Sequence, residues 1–298
     1  MLKYLNDNTW GLLKGDEVIV QAKFWHYPDC PEGHCFHKTG LIGHFQCSEK
    51  ASLEESFILF NHLNKTLQSL GCTKIIGPID GNTWQNYRLT TYYGDKKNFM
   101  LEPYTPEYFI KHWENFGFKS EETYSSYITS INDWNDHRIA KLDFKFQDLN
   151  FRKLEDKDLG PVFDLSLKSF VKNPYYIHIE KEVYLEKYGK MMALLKPNLS
   201  WVVYDGEKLV GYIFSILNQN GVYKMNDSVI LKTAAISDER KYAGLGVYLL
   251  SKLVEESQSL NLDYIIHALM HDRNPVQNIV KSASEKMRGY TLYKKDII

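Results

Sequence analysis

Two stretches of this sequence combine residue types and spacings that can do chemistry. The first is Arg240-Lys241-Tyr242-Ala243-Gly244-Leu245-Gly246, followed by Val247. Glycines at this spacing let successive backbone N–H groups turn into one concavity, and a helix opening there adds its positive dipole end. A diphosphate suits such a nest best, and Lys241 or Arg240 is placed to add a charge-assisted contact to it. The plainer reading is a helix start with a glycine turn and no ligand. A dinucleotide-binding turn fits poorly. It expects three glycines early in a β-α-β unit and an acidic residue after the second strand, whereas here two glycines come late and His267, Ala268 and Leu269 follow. The second stretch is His26, Cys30, His34, Cys35 and His37. These are zinc-ligand types, but Cys-x4-Cys-x-His matches no strong template, and adjacent His34-Cys35 strains a tetrahedral set. A solvated loop carrying Pro28, Pro31 and Gly33, without metal, is the expectation.

The elements that must hold the first loop are legible around it. Ser228 to Ser237 (SVILKTAAIS) reads as a buried strand, Val247 to Leu260 as an amphipathic helix, and Asp263 to Met270 as a second buried strand. Together they form a right-handed β-α-β unit. Upstream, Trp201 to Tyr204 and Leu209 to Leu217 pair as a hairpin across Asp205-Gly206-Glu207-Lys208. The first half repeats the plan, with strands at Glu17 to Trp25, Leu41 to Cys47 and Thr73 to Ile79. Its helix opens on a Ser52/Glu55 capping box and ends at Gly71. The polar segment Asn132 to Asp148 reads as a linker between domains spanning 1–135 and 149–298. The fold class is α/β, of the α+β mixed-sheet type, in two similar domains.

In this setting Lys241-x-x-Gly244-x-Gly246 resembles the coenzyme A pyrophosphate loop of the GNAT superfamily, which reads Arg/Gln-x-x-Gly-x-Gly/Ala after the fourth strand. The resemblance covers roughly Asn150 to Lys295. It implies an N-acyltransferase that passes an acetyl or other acyl group from acetyl-CoA (acyl-CoA), its cosubstrate, directly to an amine in a ternary complex. It also implies cofactor contacts from Lys241, Tyr242, Ala243, Gly244, Leu245, Gly246 and Val247, from strand-end amides at Ala234, Ala235 and Ile236, and from Asn274. Asn274-Pro275 is equally a helix N-cap with proline at the first helical position. Many family members carry a tyrosine acid seven residues after this asparagine. Lys281 stands there instead, and nearby Tyr290 and Tyr293 read as packing. No carboxylate lies within SVILKTAAIS, where Thr233 is singled out as a polar residue, so no catalytic acid or base is assigned.

The first half resembles a divergent GNAT-like domain, through Gly77 to Arg88 and Pro103 to Tyr108. In the position of the phosphate loop it has Ser48-Glu49-Lys50-Ala51-Ser52, with no glycine and an opposing Glu49, so one CoA per chain is expected. The Trp, Tyr and Arg residues of this half read either as the wall of an acceptor pocket or as core. Two other functions stay open: a CoA-responsive binding protein without catalysis, and an aminoacyl-tRNA-dependent transferase. The balance of 36 basic and 37 acidic residues gives no footprint for nucleic acid or a membrane surface. Four cysteines, all before residue 73, make no disulfide framework. A cytoplasmic protein acting on a small amine-bearing acceptor is the expectation.

Overall fold

The structure, a computed structural model, describes residues 1–193, 195–219, 227–274 and 284–297. The first half contains β1 (Leu2–Asn6), β2 (Thr9–Lys14), β3 (Glu17–His26), β4 (Thr39–Cys47), α1 (Leu53–Ser69), β5 (Lys74–Gly77), β6 (Leu89–Tyr92), α2 (Tyr108–Asn115) and β7 (Lys119–Ser130). After α3 (Ile139–Phe146) come β8 (Asn150–Lys153), α4 (Leu159–Phe170), α5 (Lys181–Met192), β9 (Trp201–Asp205), β10 (Lys208–Leu217), β11 (Ser228–Ile236), α6 (Leu245–Ser259), β12 (Tyr264–His271) and β13 (Glu285–Asp296). The expected strands and helices around the glycine loop are all present to within a few residues. The class is α/β with a mixed sheet flanked by helices.

Both halves contribute to one sheet, which among the described residues runs β1-β2-β3-β4-β5-β13-β7-β12-β11-β10-β9-β8. Each half therefore receives the last strand of the other. The final strand of the chain, β13, pairs antiparallel with β5 (Tyr293 opposite Gly77), while β7 pairs antiparallel with β12 (Ile266 opposite Ile128). The two exchanged strands pair with each other at the centre, Tyr290 opposite Tyr124. A buried ion pair fastens the exchange. Arg288 Nε donates to Glu102 Oε1 at 2.8 Å, and Tyr290 Oη donates to the same oxygen at 2.7 Å. Both charged side chains are essentially inaccessible to water, a burial that is tolerable only because they meet each other.

The segment Asn132–Asp148, expected as a linker, is not structureless. It carries α3, whose Leu142 and Phe146 are buried against α6, and Asp143 Oδ1 accepts from Tyr248 Oη at 2.5 Å. Too few residues repeat in this short helix for periodicity to announce it. Tyr290 and Tyr293 lie in the core, as their spacing suggested. Among the described residues no helix is long and apolar enough to cross a membrane.

His267 stands where β12 is flanked by both β11 and β7. It is buried, its Nε2 lies 3.1 Å from Thr129 Oγ1, and burial pushes its pKa down to about 4. An unfolded histidine binds its proton near pH 6.5, so between that value and about 4 the unfolded chain holds more protons. Stability must then fall as pH drops through that window. Urea unfolding at about pH 7 and about pH 4.5 should show a loss larger in the natural protein than in His267→Gln by about 2 kcal/mol. Equal losses in the two proteins would contradict it.

Candidate functional site

The central feature is a strand pair that opens. β11 and β12 run parallel and in register only from Ser228 opposite Tyr264 to Leu231 opposite His267. Beyond that point both strands continue, β11 pairing with β10 up to Ile236 and β12 pairing with β7 up to His271. The parting coincides with irregularities on both strands. On β11, Phe214 of β10 faces Thr233 and Ser215 faces Leu231, which leaves Lys232 as the extra residue of a bulge. On β12 the register shifts between His267 and Met270, with Leu269 at φ +59°. Among the described residues Ala234, Ala235 and Ile236 thus have a β-partner on the β10 side and none on the other.

α6 begins just past the end of β11. A 3-10 turn over Arg240–Tyr242 leads to Gly244, in the left-handed region at φ +95°, which serves as N-cap without any side-chain cap. The first helical hydrogen bond runs from Tyr248 N to Gly244 O at 3.1 Å, so the amides of Leu245, Gly246 and Val247 precede the intrahelical ladder. Gly246 is exposed, and a Cβ there would meet only Ile236 Cγ1 at 3.6 Å. Gly244 differs: a Cβ would come within 2.7 Å of Leu142 Cδ2 from α3. Lys145 of α3 donates to Ala243 O at 2.7 Å, which fixes the loop from behind. The leading basic residue points elsewhere. Lys241 Nζ binds Asp205 Oδ2 at 2.8 Å, an interaction that raises its pKa, and Tyr242 Oη donates to the same carboxylate oxygen at 2.7 Å. Lys241 therefore ties the loop to the β9–β10 turn. Asn274 is exposed in a turn, its amide donating to His271 O at 2.9 Å, and Pro275 and Lys281 lie outside the described residues.

The corresponding place in the first half is built shut. β4 and β5 are parallel only from Thr39 to Leu41, but the chain beyond them stays together: Ile79 N donates to Ile42 O at 2.9 Å and His44 N to Asp80 Oδ1 at 2.7 Å. At the start of α1, Glu55 N donates to Ser52 Oγ and Ser52 N to Glu55 Oε2, a complete capping box. Lys14 pairs with Glu55 at 2.6 Å and holds its carboxyl below the usual range.

Beside the opened strands is a group of cations, of which the sequence reading reached only Arg88, among the Trp, Tyr and Arg residues of the first half. Arg88 ends the first-half loop after β5. Its guanidinium carbon lies 4.0 Å from the Tyr87 ring centroid and 3.9 Å from that of Tyr124, and Nη1 donates to Leu269 O at 3.3 Å. Lys187 on α5 donates to the Trp84 carbonyl, while Trp84 Nε1 donates to Ile177 O at 2.9 Å. Lys232, at the β11 bulge, has its pKa lowered to about 8 by burial and by repulsion from Lys187 and Arg88. The signal for it lay in the sequence: a lone charge inside SVILKTAAIS, next to the Thr233 that was noted.

The residues His26 to His37 make turn contacts. His34 Nδ1 accepts from Phe36 N at 3.2 Å and lies 3.2 Å from Cys30 Sγ, and His37 Nδ1 meets Cys30 O at 3.0 Å.

No protein-family model matches the sequence, and neither does any curated protein. Solved structures do match the fold. A tandem GNAT protein from the clavulanic acid biosynthesis pathway is 10% identical over 97% of this chain and 82% of its own, with a TM-score of 0.54. A GCN5-related N-acetyltransferase from Sphaerobacter thermophilus is 10% identical over 99% and 82%, with a TM-score of 0.55. The GCN5-related glucosamine N-acetyltransferase region of a fungal multi-domain β-N-acetylglucosaminidase is 9% identical over 96% of this chain and 33% of that one, with a TM-score of 0.59. This chain has the tandem GNAT fold.

The two loop glycines should separate sharply under mutation. Gly244→Ala puts a side chain at positive φ against Leu142 and should cost about 1–3 kcal/mol. Gly246→Ala adds helix propensity in open space and should be neutral or stabilising by up to about 1 kcal/mol. Chemical denaturation of both variants checks this, and equal effects would contradict the assigned geometry.

Proposed function

We propose that the protein is an N-acyltransferase that binds acetyl-CoA or another acyl-CoA at the α6 loop and passes the acyl group directly to an amine. One observation carries the reading: α6 opens on a glycine without a side-chain cap beside strands that part, whereas the equivalent helix of the first half opens on a capping box beside strands held together past their ladder. The amides of Leu245, Gly246 and Val247, with the loop Lys241 to Gly244 behind them, would hold the diphosphate by hydrogen bonds and the helix dipole. The unpaired edge of β11 at Ala234, Ala235 and Ile236 would take the pantetheine arm and stabilise the carbonyl oxygen as it gains charge. Asn274, at the end of the same opening, fits a further contact.

When bound, acyl-CoA supplies an activated thioester. The chain then needs to hold that carbonyl, orient a neutral amine against it and exclude competing water. Orientation between the two halves does most of this, because the acceptor must enter from the side that Arg88, Trp84 and α5 enclose. One CoA per chain is the stoichiometry this reading requires, since in Ser48 to Ser52 the amides of Ser48, Lys50, Ala51 and Ser52 are already bonded within the protein, to Ile19 O, Ser48 Oγ, Ser48 O and Glu55 Oε2.

Gly246→Asp tests the site without breaking the fold. An acidic residue in the first turn of a helix stabilises it, while a fixed negative charge among these amides repels a diphosphate. The variant should unfold at the same or higher denaturant concentration, yet bind CoA at least about 10-fold more weakly by calorimetry. Unchanged affinity in the folded variant, or saturation of the natural protein at two equivalents, would remove the assignment.

A further inference from the structure

Among the described residues the cations beside the parted strands have no carboxylate partner, and that is their most informative property. Arg88, Lys187 and Lys232 come from three separate elements: the loop after β5 in the first half, α5, and the β11 bulge. Lys187 and Arg88 each lie near enough to Lys232 for their repulsion to be felt there, and Lys187 reaches Gln85, three positions before Arg88. Among the described residues none of the three is paired with a carboxylate. Arg88 and Lys187 donate to the backbone oxygens of Leu269 and Trp84, and Lys187 also to Gln85 Oε1 at 3.4 Å. Glu122, two residues from the Tyr124 that flanks Arg88, is taken by His271 at 2.8 Å and by Arg273. Arg88 is 5% exposed, yet its Nε is buried with no hydrogen-bond partner.

Gathering like charges in a desolvated place is unfavourable unless an anion joins them. The contacts of Arg88 with two tyrosine rings set at right angles to each other explain how its guanidinium is held in place, but they satisfy neither lysine nor the orphaned Nε. A planar guanidinium pre-set in this way is suited to a carboxylate or phosphate. The cluster also borders the gap between β11 and β12, where an amine would have to stand to be acylated.

Resting on the acyl-transfer reading above, we propose that the acceptor carries an oxyanion, a carboxylate or a phosphate, beside its amine, and that Arg88, Lys187 and Lys232 receive it. The cations fix one end of the acceptor and leave the amine directed at the parted strands. Uncharged amines of the same length lack this anchor.

The test is calorimetry on the full chain with matched probes, with and without CoA: β-alanine against β-alaninamide, γ-aminobutyrate against its amide, and aminoethyl phosphate against ethanolamine. At least one acid should bind about 10-fold or more tightly than its neutral partner, and whether carboxylates or the phosphate lead identifies the oxyanion. Lys187→Gln and Lys232→Gln should each remove that preference and leave CoA affinity unchanged. They keep the test independent of whether Arg88→Gln folds. The proposal is overturned if no acid is preferred, if both variants retain the preference, or if they weaken CoA instead, in which case the cations serve the phosphates of CoA. Failure of the natural protein to bind CoA would remove the acyl-transfer reading alone, with the acid-against-neutral comparison still deciding this one.

Discussion

The exchange of β7 and β13 is the constraint on which the rest of the molecule depends. Neither half closes its own sheet. β5 is completed by a strand that arrives from the far end of the chain, and β12 by one from the first half. Backbone groups at a sheet edge demand partners, and here each half can satisfy the other. The Arg288–Glu102 pair makes the arrangement specific, because a buried charge left alone would be far more costly than the pair. Because the halves are joined through continuous hydrogen-bonded strands, Arg88 on one side and α6 on the other keep a fixed relation. A site assembled from both gains its geometry from that rigidity.

Within this frame the two halves use one piece of physics in opposite ways. A helix N-terminus brings free amides and a partial positive charge. In α1 the capping box takes the Ser52 and Glu55 amides, and Ile79 draws the neighbouring strands together. In α6 a left-handed glycine replaces the cap, and the strands part at a bulge. The difference amounts to a few side chains, and it converts a closed structural end into a place that lacks a partner.

Much of this was legible in the sequence because the signals were local. The β9–β10 hairpin, β11, α6, β12, the Ser52/Glu55 box and the glycine loop each announce themselves through periodicity or turn chemistry within a few residues. The strand exchange does not. Alternation in β7 and β13 reports that faces are buried, never which strand lies alongside. The helix α3 within Asn132 to Asp148 escaped the sequence reading because it shows only Leu142 and Phe146 as buried apolar positions in a polar background. Arg88, Lys187 and Lys232 lie far apart in the chain, and only the fold brings their charges together. Lys241 was expected to face a phosphate. Its capture by Asp205 depends on a turn thirty-six positions away, beyond any local pattern.

The shared sheet also bears on how the chain is made. A ribosome releases β5 long before β13, so the first half emerges with an edge that nothing yet covers. The pairing of Gly77 with Tyr293 closes a loop of more than two hundred residues. Such a distant contact is slow to form because its closure entropy must be met first. Until the last strand leaves the exit tunnel, the nascent first half presents an open β-edge to neighbouring chains. The native pairing of the first half thus waits on β13, and its own strands cannot supply it.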